Sequence, residues 1–204
     1  MIPLLPLAAV GAALLMTKTG ESNPVTDEPA PANPANPDYS NEGRNHPLMD
    51  NTHDSRGEPL DFNQGEANVQ ATLEAIRLAE SGGDYGALVG GGSVTDLSTH
   101  PAMPPRNWKG IRTSAGPSHA AGAYQFQPGT WRECAAALGL HDFGEEAQDK
   151  AAVFLIKRRG AYDDVFAGRF SVALLKLRNE WASIGARGDQ WYAKTFTDNG
   201  GALA

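Results

Sequence analysis

A carboxyl, a hydroxyl and a pair of glycines stand together at residues 79–85, Ala-Glu-Ser-Gly-Gly-Asp-Tyr. Ahead of them Val69, Leu73, Ile76 and Leu78, with Ala71, Ala75 and Ala79 between, recur at roughly helical spacing, and Gly82-Gly83 stops the run. Glu80 is therefore expected at a helix C-terminus. The negative end of the helix dipole disfavours a carboxylate there and raises its pKa, which suits a general acid. Position alone equally describes an ordinary solvated glutamate. A second segment, Ala-Gly-Ala-Tyr-Gln-Phe-Gln-Pro at 121–128, combines a bendable backbone with the Tyr124 ring and the Gln125 amide, groups that stack on and hydrogen-bond a sugar. Other combinations carry less chemistry. Cys134 has His119 and His141 in the chain with it, but Glu-Cys-Ala-Ala-Ala reads as a buried core thiol rather than a nucleophile. A single cysteine rules out an intrachain disulfide and any cysteine-rich zinc site, and no metal or other cofactor is expected. The glycines of Gly-Gly-Asp-Tyr-Gly-Ala-Leu-Val-Gly-Gly-Gly lack the lysine of a phosphate loop.

The elements that must position Glu80 and the Tyr124 turn are mostly helical. The helix ending near Glu80 is expected to begin at about residue 68. Residues 84–99 hold short β-prone runs between glycines and predict a small hairpin, and 101–117 reads as loop. A helix follows Pro128 up to Gly139, and a longer one over 145–160 closes on Lys157-Arg158-Arg159 and Gly160, basic residues that favour the negative end of the dipole. Phe-Ser-Val-Ala-Leu-Leu-Lys-Leu-Arg-Asn-Glu-Trp-Ala-Ser-Ile-Gly at 170–185 predicts a further helix, and 189–196 another. Trp131 and Trp181 fall at core-like positions, and His100 reads as a structural loop residue. The expected class is α+β, dominated by helices, with one small β element after the first helix.

Two different materials share the 204-residue chain. Its net charge of −7 comes from residues 1–68, where Lys18, Arg44 and Arg56 face a large excess of acidic side chains; the remainder is balanced. That sign excludes non-specific nucleic-acid binding, which needs a basic footprint. Residues 1–17 open with an uncharged apolar run, Met1 to Met16. As a helix it rises about 24 Å against a bilayer core of about 30 Å, so it is expected to act as a membrane anchor or export signal, or as an arm packed on protein. Residues 18–67 are rich in Pro-Ala and Asn-Pro steps and poor in large apolar side chains, the composition of a disordered acidic linker. Residues 68–204 form the folded domain.

Ala-Glu-Ser-Gly-Gly-Asp-Tyr followed by Gly-Ala-Tyr-Gln-Phe resembles lysozyme-like lytic transglycosylases, in which a Glu-Ser pair precedes a Gly-x-x-Gln turn. The segments 89–101, 121–131, 138–161 and 178–184 are similar, in the same order, to the lambda-type phage endolysins. The likeness covers about residues 69–190, nearly all of the folded part. It implies a lysozyme-like domain that acts on the peptidoglycan glycan strand. The apolar run at 1–16, part of a tail without counterpart in the short soluble endolysins, adds the expectation of a membrane-anchored or virion-associated protein acting in the periplasm.

The resemblance also implies roles. Glu80 matches the family's catalytic glutamate; Ser81, Asp84, Asp96, Tyr124 and Gln125 match positions that line the sugar cleft. A single catalytic glutamate implies cleavage between N-acetylmuramic acid and N-acetylglucosamine by attack of the muramic acid's own C6 hydroxyl, leaving a 1,6-anhydromuramoyl end. The alternatives are a hydrolytic muramidase with Asp84 or Asp96 as second carboxylate, and a non-catalytic glycan-binding virion component. Residues 185–190, Gly-Ala-Arg-Gly-Asp-Gln, depart from the family pattern, which carries a Gly-Tyr loop there; Trp191 and Tyr192 are the aromatic residues at hand to replace that tyrosine.

Overall fold

The structure, a computed structural model, describes residues 61–204 apart from residue 115. The apolar N-terminal run and the linker up to residue 60 lie outside the described residues. Among those described, no helix is long and apolar enough to cross a membrane.

Helix α1 spans Phe62–Ser81 and runs through the centre of the fold. It begins earlier than the expected boundary at 68, inside the stretch read as linker. Asp61 caps it, its carboxylate accepting the backbone N–H groups of Asn63 at 3.0 Å and Gln64 at 3.2 Å. Phe62 lies edge-on to Phe166 at 5.8 Å. Gly65 allows the same ring to press on the helix: a Cβ there would sit 2.2 Å from it. The buried Asn68 amide donates to the Phe166 carbonyl at 3.0 Å, and its oxygen accepts the Ala202 N–H at 2.8 Å. Polar and glycine residues thus fix the first turns, which apolar periodicity could not reveal. The apolar face that follows (Val69, Leu73, Ile76) is buried as its spacing predicts.

The β element follows α1 as expected, but its strands lie elsewhere in the segment. β1 (Ile111–Thr113) and β2 (Gly116–Ser118) form a two-stranded antiparallel sheet with Ile111 opposite Ser118. Residues 84–99, predicted as the hairpin, make only isolated bridges, Ala87 with Ser93 and Leu88 with Ala121. The three-residue strands contain Gly116 and Pro117 and bury no alternating face, so they carry no pattern for a reader of sequence. The β-prone run at 87–89 spends its backbone groups on the 120–122 segment instead: Val89 donates to Ala120 at 3.0 Å and Gly122 to Ala87 at 2.8 Å.

Helices α2 (Pro128–Leu138), α3 (Glu145–Arg158) and α7 (Asp189–Asp198) match their predicted spans. The helix predicted over 170–185 is two: α5 (Phe170–Leu177) and α6 (Ala182–Arg187), separated by an extended Trp181 at φ −122°. Burial of the indole breaks the run, since its N–H reaches the Tyr124 carbonyl at 3.3 Å. A one-turn helix, α4 (Tyr162–Phe166), had no periodic signal. Its buried Asp164 accepts from Arg169 at 2.8 Å and Lys176 at 2.5 Å, tying α4 to α5.

The core joins α1 to the aromatic group Phe126, Trp131 and Phe143, with Trp131 edge-on to Phe143 at 4.6 Å. Cys134 is fully buried and its thiol is pushed up to about 11 by desolvation, so it is an inert core residue. Trp181 is buried as expected. His100 is buried between Phe126, whose carbonyl lies 2.9 Å from Nε2, and Ala102, whose N–H reaches Nδ1 at 3.2 Å. One nitrogen must donate and the other accept, which is the neutral imidazole.

Two outcomes follow from this packing. A chain beginning at Asn68 should be less stable than one beginning at Asp61 by about 2 kcal/mol, the loss of one cap and one aromatic contact, read from urea midpoints. Desolvation, outweighing the hydrogen bond to the Phe126 carbonyl, holds His100 below its ordinary pKa of 6.5. The unfolded chain then binds a proton that the folded chain refuses. Stability is full above about pH 6.5 and falls as the pH drops through that value toward the folded pKa. Denaturation across this range should show a steeper acid loss in the wild type than in His100→Gln, which cannot charge.

Candidate active site

Glu80 occupies the last turn of α1. Gly82 ends the helix in the left-handed region, at φ 72°, where its N–H returns to the Leu78 carbonyl and that of Gly83 to the Arg77 carbonyl. Ser81 belongs to this cap: its hydroxyl donates to the Arg77 carbonyl at 3.0 Å and accepts the Gly83 N–H at 3.2 Å. Its polar groups are thus turned to the helix end.

The Glu80 carboxyl is met by residues from the far end of the chain. Ser183, on α6, donates its hydroxyl proton to Oε1, and Tyr192, on α7, lies with its hydroxyl 2.6 Å from the same serine oxygen. A serine hydroxyl has one proton, and it is committed to Glu80. The tyrosine must therefore donate to the serine, giving a directed chain from Tyr192 through Ser183 to Glu80 Oε1. Desolvation raises the Glu80 pKa above that of a free glutamate, opposed by the Ser183 hydrogen bonds and by the positive charge of Arg187. Burial also pushes Tyr192 up, so it remains a donor. The raised pKa was expected from the helix end; the larger cause in the structure is exclusion of water. With Oε1 held as an acceptor, a proton on this carboxyl resides on Oε2.

The Tyr124 turn is built by α3. Gln148 is fully buried: its oxygen accepts the Ala123 N–H at 2.8 Å, and its nitrogen donates to the carbonyls of Tyr85 at 2.9 Å and Phe143 at 2.7 Å. Gly122, at φ 80°, admits this amide, since a Cβ there would stand 2.2 Å from its oxygen. The Tyr124 ring is 1% exposed and turns into the core; its hydroxyl donates to Asp149 at 2.6 Å. Tyr85 donates to the same carboxylate oxygen at 2.8 Å and accepts from Arg77 at 2.6 Å. Gln125 is half-buried, in the left-handed region at φ 51°, with its amide on the Gly122 carbonyl at 3.0 Å. Of this pair it is the glutamine that retains an exposed face.

The two aspartates make their contacts apart from Glu80. Asp84 is exposed and accepts the Gly86 N–H at 2.8 Å. Asp96 accepts the Ser98 N–H at 3.0 Å and pairs with Arg106; the Ser98 hydrogen bonds, then Arg106, lower its pKa to about 2. Neither carboxylate is hydrogen-bonded to Glu80. Among the described residues no group of three or more His, Cys, Asp and Glu is placed to hold a metal ion.

Ser183, Arg187 and Gln148 are the site residues that sequence reasoning did not reach. Ser183 lies within the family-like segment 178–184, yet nothing local marks a serine as the partner of a carboxyl so far away in the chain. Tyr192, one of the two aromatic residues expected to replace the sugar-facing tyrosine, is buried with its hydroxyl on Ser183. Trp191, the other candidate, is half-buried with the Arg187 guanidinium 4.6 Å over its ring.

The geometry has counterparts in known proteins. The Endolysin family model matches residues 70–199. The endolysin of Escherichia phage P2 is 39% identical over 94 residues, 46% of this chain and 57% of that protein. The endolysin of Escherichia phage lambda is 35% identical over 104 residues, 51% of this chain and 63% of that protein. The matched segments thus span 57% and 63% of these curated relatives' own lengths. Among solved structures, bacteriophage lambda lysozyme complexed with a chitohexasaccharide superimposes with a TM-score of 0.60 at 27% identity, covering 68% of this chain and 97% of that one. A second structure, lysozyme from bacteriophage lambda, gives a TM-score of 0.59 at 28% identity, covering 68% of this chain and 97% of that one. A fold shared with that lysozyme, and a family match running from within α1 to the end of α7, make this chain a member of the Endolysin family.

Proposed function

We propose that the chain degrades the bacterial cell wall as a peptidoglycan lytic transglycosylase, with Glu80 as its one acid and base. The observation that carries the reading is a carboxyl whose pKa is raised by burial and whose hydrogen-bond partner is a hydroxyl rather than a second carboxylate. The chitohexasaccharide held by lambda lysozyme supports a β-1,4-linked amino-sugar chain as the ligand of the shared fold. Glu80 Oε2 gives its proton to the glycosidic oxygen as the bond to the muramic acid C1 breaks. The C6 hydroxyl of the same sugar attacks C1, closing the anhydro ring, and its proton passes to Glu80. An internal nucleophile needs no activated water, so one carboxyl suffices. Ser183 and Tyr192 keep Oε1 out of the proton transfer and aim Oε2. Asp84, Asp96 and Gln125 line the cleft around the strand, while Ser81 and the buried Tyr124 act as supports, one in the cap after Glu80 and the other through Asp149. The uncharged run at 1–16 and the proline-rich stretch after it are suited to keep the domain near a membrane or virion while it reaches the wall.

Glu80→Gln should lower glycan cleavage by roughly a hundredfold or more while leaving the melting transition cooperative, because an amide cannot protonate the leaving oxygen. Mass spectrometry of the wild-type products should show muramoyl ends lighter by one water than hydrolysed ends. Ends carrying that water would transfer the reaction to the muramidase reading, with Asp96, ionised above about pH 2, as the second carboxylate.

Ser183→Ala tests the donor chain. The Ser183 bond lowers the Glu80 pKa, so removing it raises that pKa. A general acid works while protonated, and its rate is lost as pH rises through its pKa. The alkaline limb of the kcat profile should therefore move to higher pH, with the plateau about tenfold lower because Oε2 is no longer aimed. Tyr192→Phe should move the limb the same way by less.

A further inference from the structure

We propose that Arg187 is a binding residue for the peptide stem: its guanidinium pairs with a stem carboxylate on the muramic acid and makes the cleft prefer stem-bearing glycan to neutral glycan. The proposal rests on the reading of Glu80 as the cleavage site.

Arg187 closes α6, one turn beyond Ser183 and on the same helix face. Its Nη2 donates to the carbonyl of Ala79, the residue before Glu80, at 3.2 Å, and its guanidinium lies 4.6 Å over the Trp191 ring. A backbone carbonyl on one side and an indole face on the other hold this exposed side chain at the rim of the catalytic carboxyl. Of its five N–H donors, one is engaged by Ala79. Arg77, Arg106, Arg158, Arg159, Arg169 and Arg178 each pair with a carboxylate; Arg187, like Arg112 and Arg132, has no such pair among the described residues, and of these three it is the one held beside Glu80.

Within the protein its charge works against the site. Arg187 favours the ionised form of Glu80, opposing the burial that keeps the acid protonated. That opposition disappears when an anion neutralises the guanidinium. The N-acetylated sugars of the strand are uncharged, so the anions available beside the scissile bond are carboxylates of the stem borne by the muramic acid's lactyl group. A planar guanidinium with free parallel donors matches a carboxylate in a bidentate pair. Stem binding then both seats the muramic acid at Glu80 and removes the charge that opposes its protonation.

The test uses the full chain carrying Glu80→Gln, so that binding is measured without turnover. Titration calorimetry at low salt compares a stem-bearing muroglycan fragment with chitohexaose, before and after adding Arg187→Leu or Arg187→Lys. Arg187→Leu should weaken the stem-bearing fragment about tenfold, leave chitohexaose within about twofold, and abolish the salt dependence of the first. Arg187→Lys should retain part of the preference as a point charge. Unchanged binding, or an equal loss for both glycans, overturns the role of Arg187 and leaves cleavage at Glu80 untouched. If the Glu80→Gln chain binds neither glycan, both readings fall. The melting temperature of each variant separates lost binding from lost folding.

Discussion

The site depends on partly desolvating one carboxyl without handing it to a cation. A glutamate at the end of a helix is ordinarily solvated, and its proton leaves well below neutrality. Burying it favours the protonated form, but a buried carboxyl with no partner is costly. The structure resolves the conflict with a hydroxyl. Ser183 satisfies one oxygen of Glu80 and carries no charge, so the acid is hydrogen-bonded without the strong pKa depression that a contacting lysine or arginine would impose. The cation that does stand nearby, Arg187, donates to the Ala79 backbone instead.

Placing that hydroxyl requires the two ends of the domain to meet. The contacts form a closed circuit: Glu80 to Ser183, then two residues back along the chain to Trp181, whose indole bonds the Tyr124 carbonyl. The Tyr124 hydroxyl meets Asp149, which also receives Tyr85, and Tyr85 is held by Arg77, one turn before Glu80 on the same helix. Burial of Trp181 is what bends the chain between α5 and α6 and turns Ser183 toward the site. The break in the predicted helix is thus part of how the acid is positioned.

Local signals carried much of this into the sequence. The apolar spacing in α1 and the glycine pair after Glu80 predict a helix ending in a carboxyl, and the resemblance of the strings around 121–131 and 138–161 implies the lysozyme-like fold. Contacts across long stretches of chain were not legible. Phe62 joins α1 because of Phe166, and Asn68 is buried because Phe166 and Ala202 offer partners, none of which composition can show. The short strands at 111–118 bury nothing, so they leave no alternation to read. Tyr124 looked like a sugar platform because aromatic type does not reveal which way a ring turns, and here it turns inward. Ser183 was hidden most completely, since a serine earns its role only from what stands opposite.

The Gln148 amide bears on how the molecule comes apart. One neutral side chain on α3 serves Ala123, Tyr85 and Phe143, which belong to separate stretches of chain. If any of these segments pulls away, the amide is left with a buried, unanswered polar atom, and the penalty falls on the other two as well. The start of the segment beyond Glu80, at Tyr85, is thereby tied to the turn at Ala123 and to α3. Opening at Tyr85 therefore exposes the same amide that holds the turn at Ala123, so these two segments are energetically coupled through α3.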